Sequence, residues 1–159
     1  MYKMSKIALV TDSTCDLPEK VVIEKNITVI PLNVHFGEET FLDGIDLMPD
    51  AFFEKLSSSD IHPQTSQPSV GRFVETYNKL LKTHDSIISI HISGKLSATY
   101  SSALQAQKEI GNENIKVIDS MNGTLGLGAI VFHLATLNQS GETFENIFKE
   151  AEKIIPNAN

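Results

Sequence analysis

The stretch Ser86-Ile87-Ile88-Ser89-Ile90-His91-Ile92-Ser93-Gly94-Lys95-Leu96-Ser97, followed by a helical pattern from about Ala98 to Ile110, decides the fold. Ser86 to Ile92 is apolar and β-branched, which suits a strand covered on both faces. A short polar turn, Ser93 to Ser97, then feeds directly into a helix. That is the strand–turn–helix unit of an α/β sheet.

Working upstream, Lys6 to Thr11 reads as the first strand, and Asp12-Ser13-Thr14-Cys15-Asp16 as the loop that follows it. Pro18 suits the first turn of a short helix reaching about Lys25. Ile27 to Phe36 reads as one second strand, rich in Ile, Val and Thr. Gly37 to Asp46 is rich in turn residues, with a small hairpin at Phe41-Leu42. Pro49 to Ser58 is expected to be a helix, then a polar stretch leads to a further helix that Ser69 can cap. Phe73, Tyr77, Leu80 and Leu81 give that helix its buried stripe.

Downstream, Gly111 ends a helix and Ile115 to Asp119 is the fourth strand. Thr124 to Leu137 is nearly all apolar, which points to burial against the sheet. Thr143 caps a last amphipathic helix carrying Phe144, Ile147, Phe148, Ala151, Ile154 and Ile155. The expected architecture is α/β and three-layer, a mainly parallel twisted sheet of about four strands with helices on both faces. One domain is expected over residues 1–159.

Composition narrows the function classes. A hydrophobic fraction of 41% in 159 residues supports a continuous core. The net charge of -7, with no basic cluster, disfavours nucleic acid and anionic membranes as partners. Cys15 is the only cysteine, so neither a disulfide nor a cysteine zinc site can form within the chain. It is expected to be buried as a small hydrophobe. No apolar stretch is long enough to span a bilayer, and a cytoplasmic location is the default expectation.

Three segments fall where ligands bind in such sheets, beyond the carboxyl ends of strands. They are Asp12-Ser13-Thr14, Thr65-Ser66-Gln67-Pro68-Ser69 and Ser93-Gly94-Lys95-Leu96-Ser97. Helix N-termini there offer free amides and partial positive charge to an anion. Ordinary N-capping explains each segment taken singly. Gly94 to Thr99 lacks the second glycine and the Lys-Ser/Thr pair of a phosphate-binding loop, and Gly123, Gly126 and Gly128 lack dinucleotide spacing. The glycines are better explained by close helix packing. A serine acyl hydrolase using Ser97 is a rival, although the flanking glycines of a nucleophile elbow are missing. A kinase-docking or phosphoacceptor module, with His35 or His91 as acceptor, is a third reading. The five histidines show no metal-ligand spacing. Asp43-Gly44-Ile45-Asp46 reads as a turn, although its carboxylates suit a cation.

Taken in order, these words resemble the DegV family of bacterial proteins. They are Val10-Thr11-Asp12-Ser13-Thr14-Cys15-Asp16-Leu17-Pro18, Ile30-Pro31-Leu32 with Phe36-Gly37, Asp43-Gly44-Ile45-Asp46, Thr65-Ser66-Gln67-Pro68-Ser69, and Ile92 to Tyr100 with Ser101-Ser102-Ala103. The resemblance covers nearly all of this chain and the first half to three-fifths of a complete member. It implies the first domain of a two-domain protein, with the second domain absent here. It also implies a non-enzymatic carrier of a long-chain fatty acid such as palmitate, needing no cofactor or metal. The acid would be presented to a separate fatty acid kinase subunit and become an acyl phosphate for phospholipid synthesis. By motif, Thr65 and Ser97 would hydrogen-bond the carboxylate, with the amides of Ser66 and Ala98 as further donors. Ser13, Thr14, Ser93 and Gly94 are expected around the same pocket. Met48 stands where the family usually has a Ser/Thr cap, which should weaken that helix start by about 1 kcal/mol.

Overall fold

A computed structural model describes residues 5–158, so the expected domain limits Met1 and Asn159 lie outside the described residues. Four strands form a parallel sheet: β1 (Ile7–Asp12), β2 (Ile27–Ile30), β6 (Ser86–His91) and β7 (Ile115–Asp119), in the order β2-β1-β6-β7. Every residue of β1 and β6 is buried, as their apolar, β-branched sequences require.

The two sheet faces carry separate cores. Ala8, Val10 and Ile87 meet Phe73 and Tyr77 of α3 (Val70–Leu80) and Ala103 and Ala106 of α4 (Thr99–Ile110). On the other face, Ile7, Leu9, Ile88 and Ile90 meet Leu127, Val131 and Leu134 of α5 (Thr124–Gln139). Ile147 and Ala151 of α6 (Phe144–Ile154) complete that layer, and Val22 of α1 (Glu19–Glu24) packs at its margin. The expected three-layer α/β class is therefore the one observed.

Local signals set the element ends. Ser69 Oγ accepts the Arg72 amide at 3.2 Å, and Thr143 Oγ1 accepts that of Asn146 at 3.2 Å. Gly111 closes α4 with φ of 66°. Gly128 lets α5 approach the 3₁₀ turn Ser13–Cys15, because a Cβ there would lie 2.3 Å from the Cys15 carbonyl oxygen. Cys15 itself is buried.

The segment from Ile27 to Gln67 departs from expectation. Ile27 to Phe36 is not one strand. Pro31, which has no amide hydrogen, and Leu32 separate β2 from β3 (Asn33–Phe36). β3 belongs to a second, antiparallel sheet with β4 (Glu39–Leu42) and β5 (Gln64–Ser66), in the order β4-β3-β5. Phe41-Leu42, expected as a small hairpin, instead ends β4, so that the hairpin is β3–β4 turning at Gly37-Glu38, and the polar stretch holding Thr65 contains a strand. Helix α2 (Pro49–Ser58) covers this small sheet through Phe52, which packs with Val34, Phe36 and Leu47. Met48 heads α2 without a side-chain cap. Helix α5 is buried against the sheet, as its apolar sequence suggests, and Leu125, 73% exposed, and Phe132, 43%, mark its outward stripe.

Candidate functional site

The chain leaves β1 for β2 on one side, while β6 lies on the other. Their carboxyl ends therefore flank the switch point, where open α/β sheets place ligands. Asp12 ends β1 there and is fully buried. Its Oδ2 accepts the His91 ring Nδ1 at 2.9 Å and the Ile92 amide at 3.0 Å. Its Oδ1 accepts the Thr14 amide at 3.1 Å and the Thr14 hydroxyl at 2.5 Å. Burial works to raise the Asp12 carboxyl, but the bonds from His91, Thr14 and the Ile92 amide outweigh it and hold the group below its ordinary value.

The network continues inward. His91 Nε2 lies 2.7 Å from Ser89 Oγ, to which the Tyr77 hydroxyl donates at 2.7 Å. Burial pushes the Tyr77 phenol well above its ordinary value, and the Ser89 bond opposes this. The donors fall in one direction, Tyr77 to Ser89 to His91 to Asp12, with the imidazole proton assigned to Nδ1 by that pattern. Asp12, His91 and Ser89 follow one another like a hydrolase triad. However, Ser89 is fully buried within β6, beyond the reach of any acyl group. His91, weighed above as a phosphoacceptor, is equally buried with both nitrogens engaged.

Above this network lies a cavity of about 330 Å³, whose wall includes Thr14, Thr65, Ser66, Ser97 and Ala98. Leu32, Ile92 and Leu96 give it an apolar side, and Asp43 and Gln67 contribute polar groups. The structure thus brings the small antiparallel sheet, through Thr65 and Ser66, against the β6–α4 turn, through Ser97 and Ala98.

The hydroxyls differ in what they leave free. Among the described residues the Thr65 side chain has no hydrogen-bond partner, and it is exposed. Ser97 Oγ accepts the Thr99 amide at 3.2 Å and lies 2.9 Å from the buried Thr99 hydroxyl. If Thr99 donates to it, the Ser97 proton is left for a ligand. Among the described residues no imidazole hydrogen-bonds Ser97, whose partner is Thr99. Ala98 heads α4 without a side-chain cap of its own, and beyond the Thr99 amide held by Ser97 the first turn leaves amides available to an anion. The Ser66 hydroxyl instead lies 3.2 Å from Asn33 Nδ2 and 2.8 Å from His35 Nε2.

The four outer candidates serve the frame. Thr14 reaches the cavity wall, but its hydroxyl proton goes to Asp12. Ser13 Oγ accepts the Leu32 amide at 3.1 Å. Ser93 is buried, with its Oγ accepting the Lys95 amide at 3.3 Å. The Gly94 amide donates to Asp119 Oδ2 at 3.1 Å. Ser93 and Gly94 do not line the cavity.

Sequence reasoning missed three features. One is the place of Asp43, weighed from sequence only as a turn residue or cation ligand: its carboxylate has no hydrogen-bond or ion-pair partner among the described residues and lines both this cavity and a neighbouring groove of about 520 Å³. Leu17, Val22, Val29, Ile45 and Met48 make that groove largely apolar. Asp46, by contrast, is spent on the turn, accepting the Leu42 amide at 2.9 Å. The others are the Asn33–His35 pair beside Ser66 and the Asp12–His91 pair. The only sequence signals were polar residues at unexpected strand positions. Among the described residues no cluster suited to a metal ion is present, and no helix is long and apolar enough to cross a membrane.

A parallel sheet covered on both faces, with a hydroxyl-lined cavity at its switch point and an antiparallel sheet over it, defines a class of α/β domain with a candidate ligand site. The chain belongs to the DegV family, whose model, described as an uncharacterised protein of that family, matches residues 6–159. A DegV domain-containing protein of Clostridium perfringens is 43% identical over 147 residues, covering 92% of this chain and 53% of the relative. The crystal structure of DegV, a fatty acid binding protein from Bacillus subtilis, matches with a TM-score of 0.89 and 37% identity, over 96% of this chain and 54% of that one. A Thermus thermophilus DegV family protein, described for its fatty acid binding, matches with a TM-score of 0.86 and 34% identity, over 95% and 54%. The chain spans about half the length of the relatives it matches.

Proposed function

We propose that this domain holds the carboxylate end of a long-chain fatty acid in the cavity between Thr65 and Ser97. The observation that carries the reading is the convergence of the unpartnered Thr65 hydroxyl, Ser97 and the uncapped start of α4 on one cavity. A carboxylate leaving water needs several donors, and charge-assisted bonds from hydroxyls and helix amides supply them without a fixed cation. The fatty acid binding described for the Bacillus subtilis and Thermus thermophilus relatives supports the ligand class.

Affinity would come from the tail. Burying a sixteen-carbon chain yields roughly 12 kcal/mol gross, before association and ordering costs. Thr65 and Ser97 then set orientation. In this reading the domain is a carrier without turnover of its own and without a cofactor. It works in the cytoplasm, is completed by a second domain, and presents the acid to a separate kinase for acyl-phosphate formation. The test is mass spectrometry of lipid retained by the protein from a bacterial host, with palmitate titration of wild type and the Thr65→Val/Ser97→Ala variant. Retention of a C14–C18 acid that the double variant loses is the expected result. A wild type that neither retains nor binds one overturns the proposal.

A further inference from the structure

We infer that Asp43 sets the charge selectivity of the cavity, favouring a singly charged head group over a more highly charged one such as a phosphate; this rests on the fatty-acid reading above. Asp43 follows β4, and its amide donates to the Leu32 carbonyl oxygen at 3.0 Å, one step beyond the Asn33–Leu42 pair. Side chains alternate along a strand, so Asp43 shares a face with Phe41. Phe41 pairs with Val34, and Val34 pairs with Thr65. The register therefore puts Asp43 and Thr65 on one face of the small sheet, and both line the cavity.

Nothing neutralises that carboxylate. It is half-buried and has no hydrogen-bond or ion-pair partner among the described residues. It also borders the apolar groove, where burial first and the Asp43 charge second raise the Asp16 carboxyl above its ordinary value. Asp16, Glu19 and Asp43 are the charged residues in the walls of the two pockets, which include no lysine, arginine or histidine among the described residues. An anion at Thr65 and Ser97 thus gains hydrogen bonds from hydroxyls and amides while facing walls charged only negatively.

The two effects scale differently with the charge of the ligand. Hydroxyls and helix amides donate to a carboxylate and to a phosphate alike. Repulsion from a fixed carboxylate grows in proportion to ligand charge, so it doubles for a dianion. Thr65 and Ser97 accept the anion, and Asp43 grades it by charge. An acyl phosphate, more highly charged than the acid, is accordingly held less tightly.

The experiment titrates the full chain with sodium palmitate and with hexadecyl phosphate at about pH 8, where the phosphate carries close to two charges. Wild type is compared with Asp43→Asn and with Asp43→Ala, which removes the charge without adding a donor. The quantity read is the ratio of the two dissociation constants, in which the larger size of the phosphate cancels between proteins. Wild type should prefer palmitate, and both variants should reduce that preference about fivefold, the effect of one extra unit charge under partial solvent screening. The reduction should shrink in about 1 M NaCl. Asp43→Glu keeps the charge and should keep the ratio within about twofold of wild type. A ratio unchanged in folded Asp43→Asn and Asp43→Ala, or hexadecyl phosphate that binds none of the proteins, overturns the role of Asp43 alone. A ratio that falls in Asp43→Asn but not in Asp43→Ala also overturns it, because the new amide and not the lost charge would be the cause. A wild type that binds no palmitate overturns the fatty-acid reading as well.

Discussion

Beneath the carboxyl ends of β1 and β6, the line from Tyr77 through Ser89 and His91 to Asp12 is buried, and each of its side chains finds a partner. In the cavity just above, Thr65 has no partner among the described residues and α4 begins without a side-chain cap. The two regions use similar residues, hydroxyls above all, to opposite ends. Where the groups satisfy one another they hold two strands together; where they are left unsatisfied they are available to something else. Residue type alone does not separate the two cases, but the accounting of protons does.

Substitution in the closed network should produce the largest effect. Asp12→Ala leaves His91 and the Ile92 amide without their acceptor and should cost about 3–5 kcal/mol of stability. Urea denaturation measures this, and a loss below about 1 kcal/mol would break the contrast. In the open region, Thr65→Val should change stability by less than about 0.5 kcal/mol. Thr65→Val and Ser97→Ala should each weaken palmitate binding by about 1.5–3 kcal/mol, read by titration. A Thr65→Val variant that is unstable yet binds normally would reverse the assignment of the two regions.

The closed network should also show itself in acid. Asp12 is held below its ordinary value when folded, so the unfolded chain takes up its proton first as the pH falls. Its contribution is complete above about pH 4 and is lost as pH drops through the depressed folded value. Stability measured from about pH 6 to pH 2 should fall more steeply for wild type than for Asp12→Asn. Parallel slopes would remove Asp12 from the account. The smallest effect lies at the edge of the apolar groove. Met48→Thr supplies the missing cap of α2 and should add about 0.5–1 kcal/mol in a thermal melt.

The sheet and its helices were legible because they rest on local pattern. Apolar strands, the caps at Ser69 and Thr143 and the stop at Gly111 all act within a few residues. The break at Pro31-Leu32 was hidden because the β-branched run Ile27 to Ile30 resumes at Val34. β5 was hidden because it is three polar residues long and owes its extended form to pairing with β3. The Asp12–His91 pair spans 79 residues and could be found only once β1 and β6 lay side by side. For the candidate site, the words around Thr65 and Ser97 were legible through family resemblance. Which hydroxyls keep a free proton depends on neighbours from other strands, and no single stretch of sequence carries that information.

The two residues that divide β2 from β3 have a mechanical consequence. Leu32 gives its amide to Ser13 and its carbonyl to the Asp43 amide at 3.0 Å, and the preceding Pro31 has a fixed φ. That joint is bolted on both sides, and it is the direct covalent link from the sheet that carries the Ser97 turn to the sheet that carries Thr65. The jaws of the cavity are accordingly set at a fixed gauge when the chain folds, and the proposed head group would be accepted by fitting that gauge rather than by reshaping it.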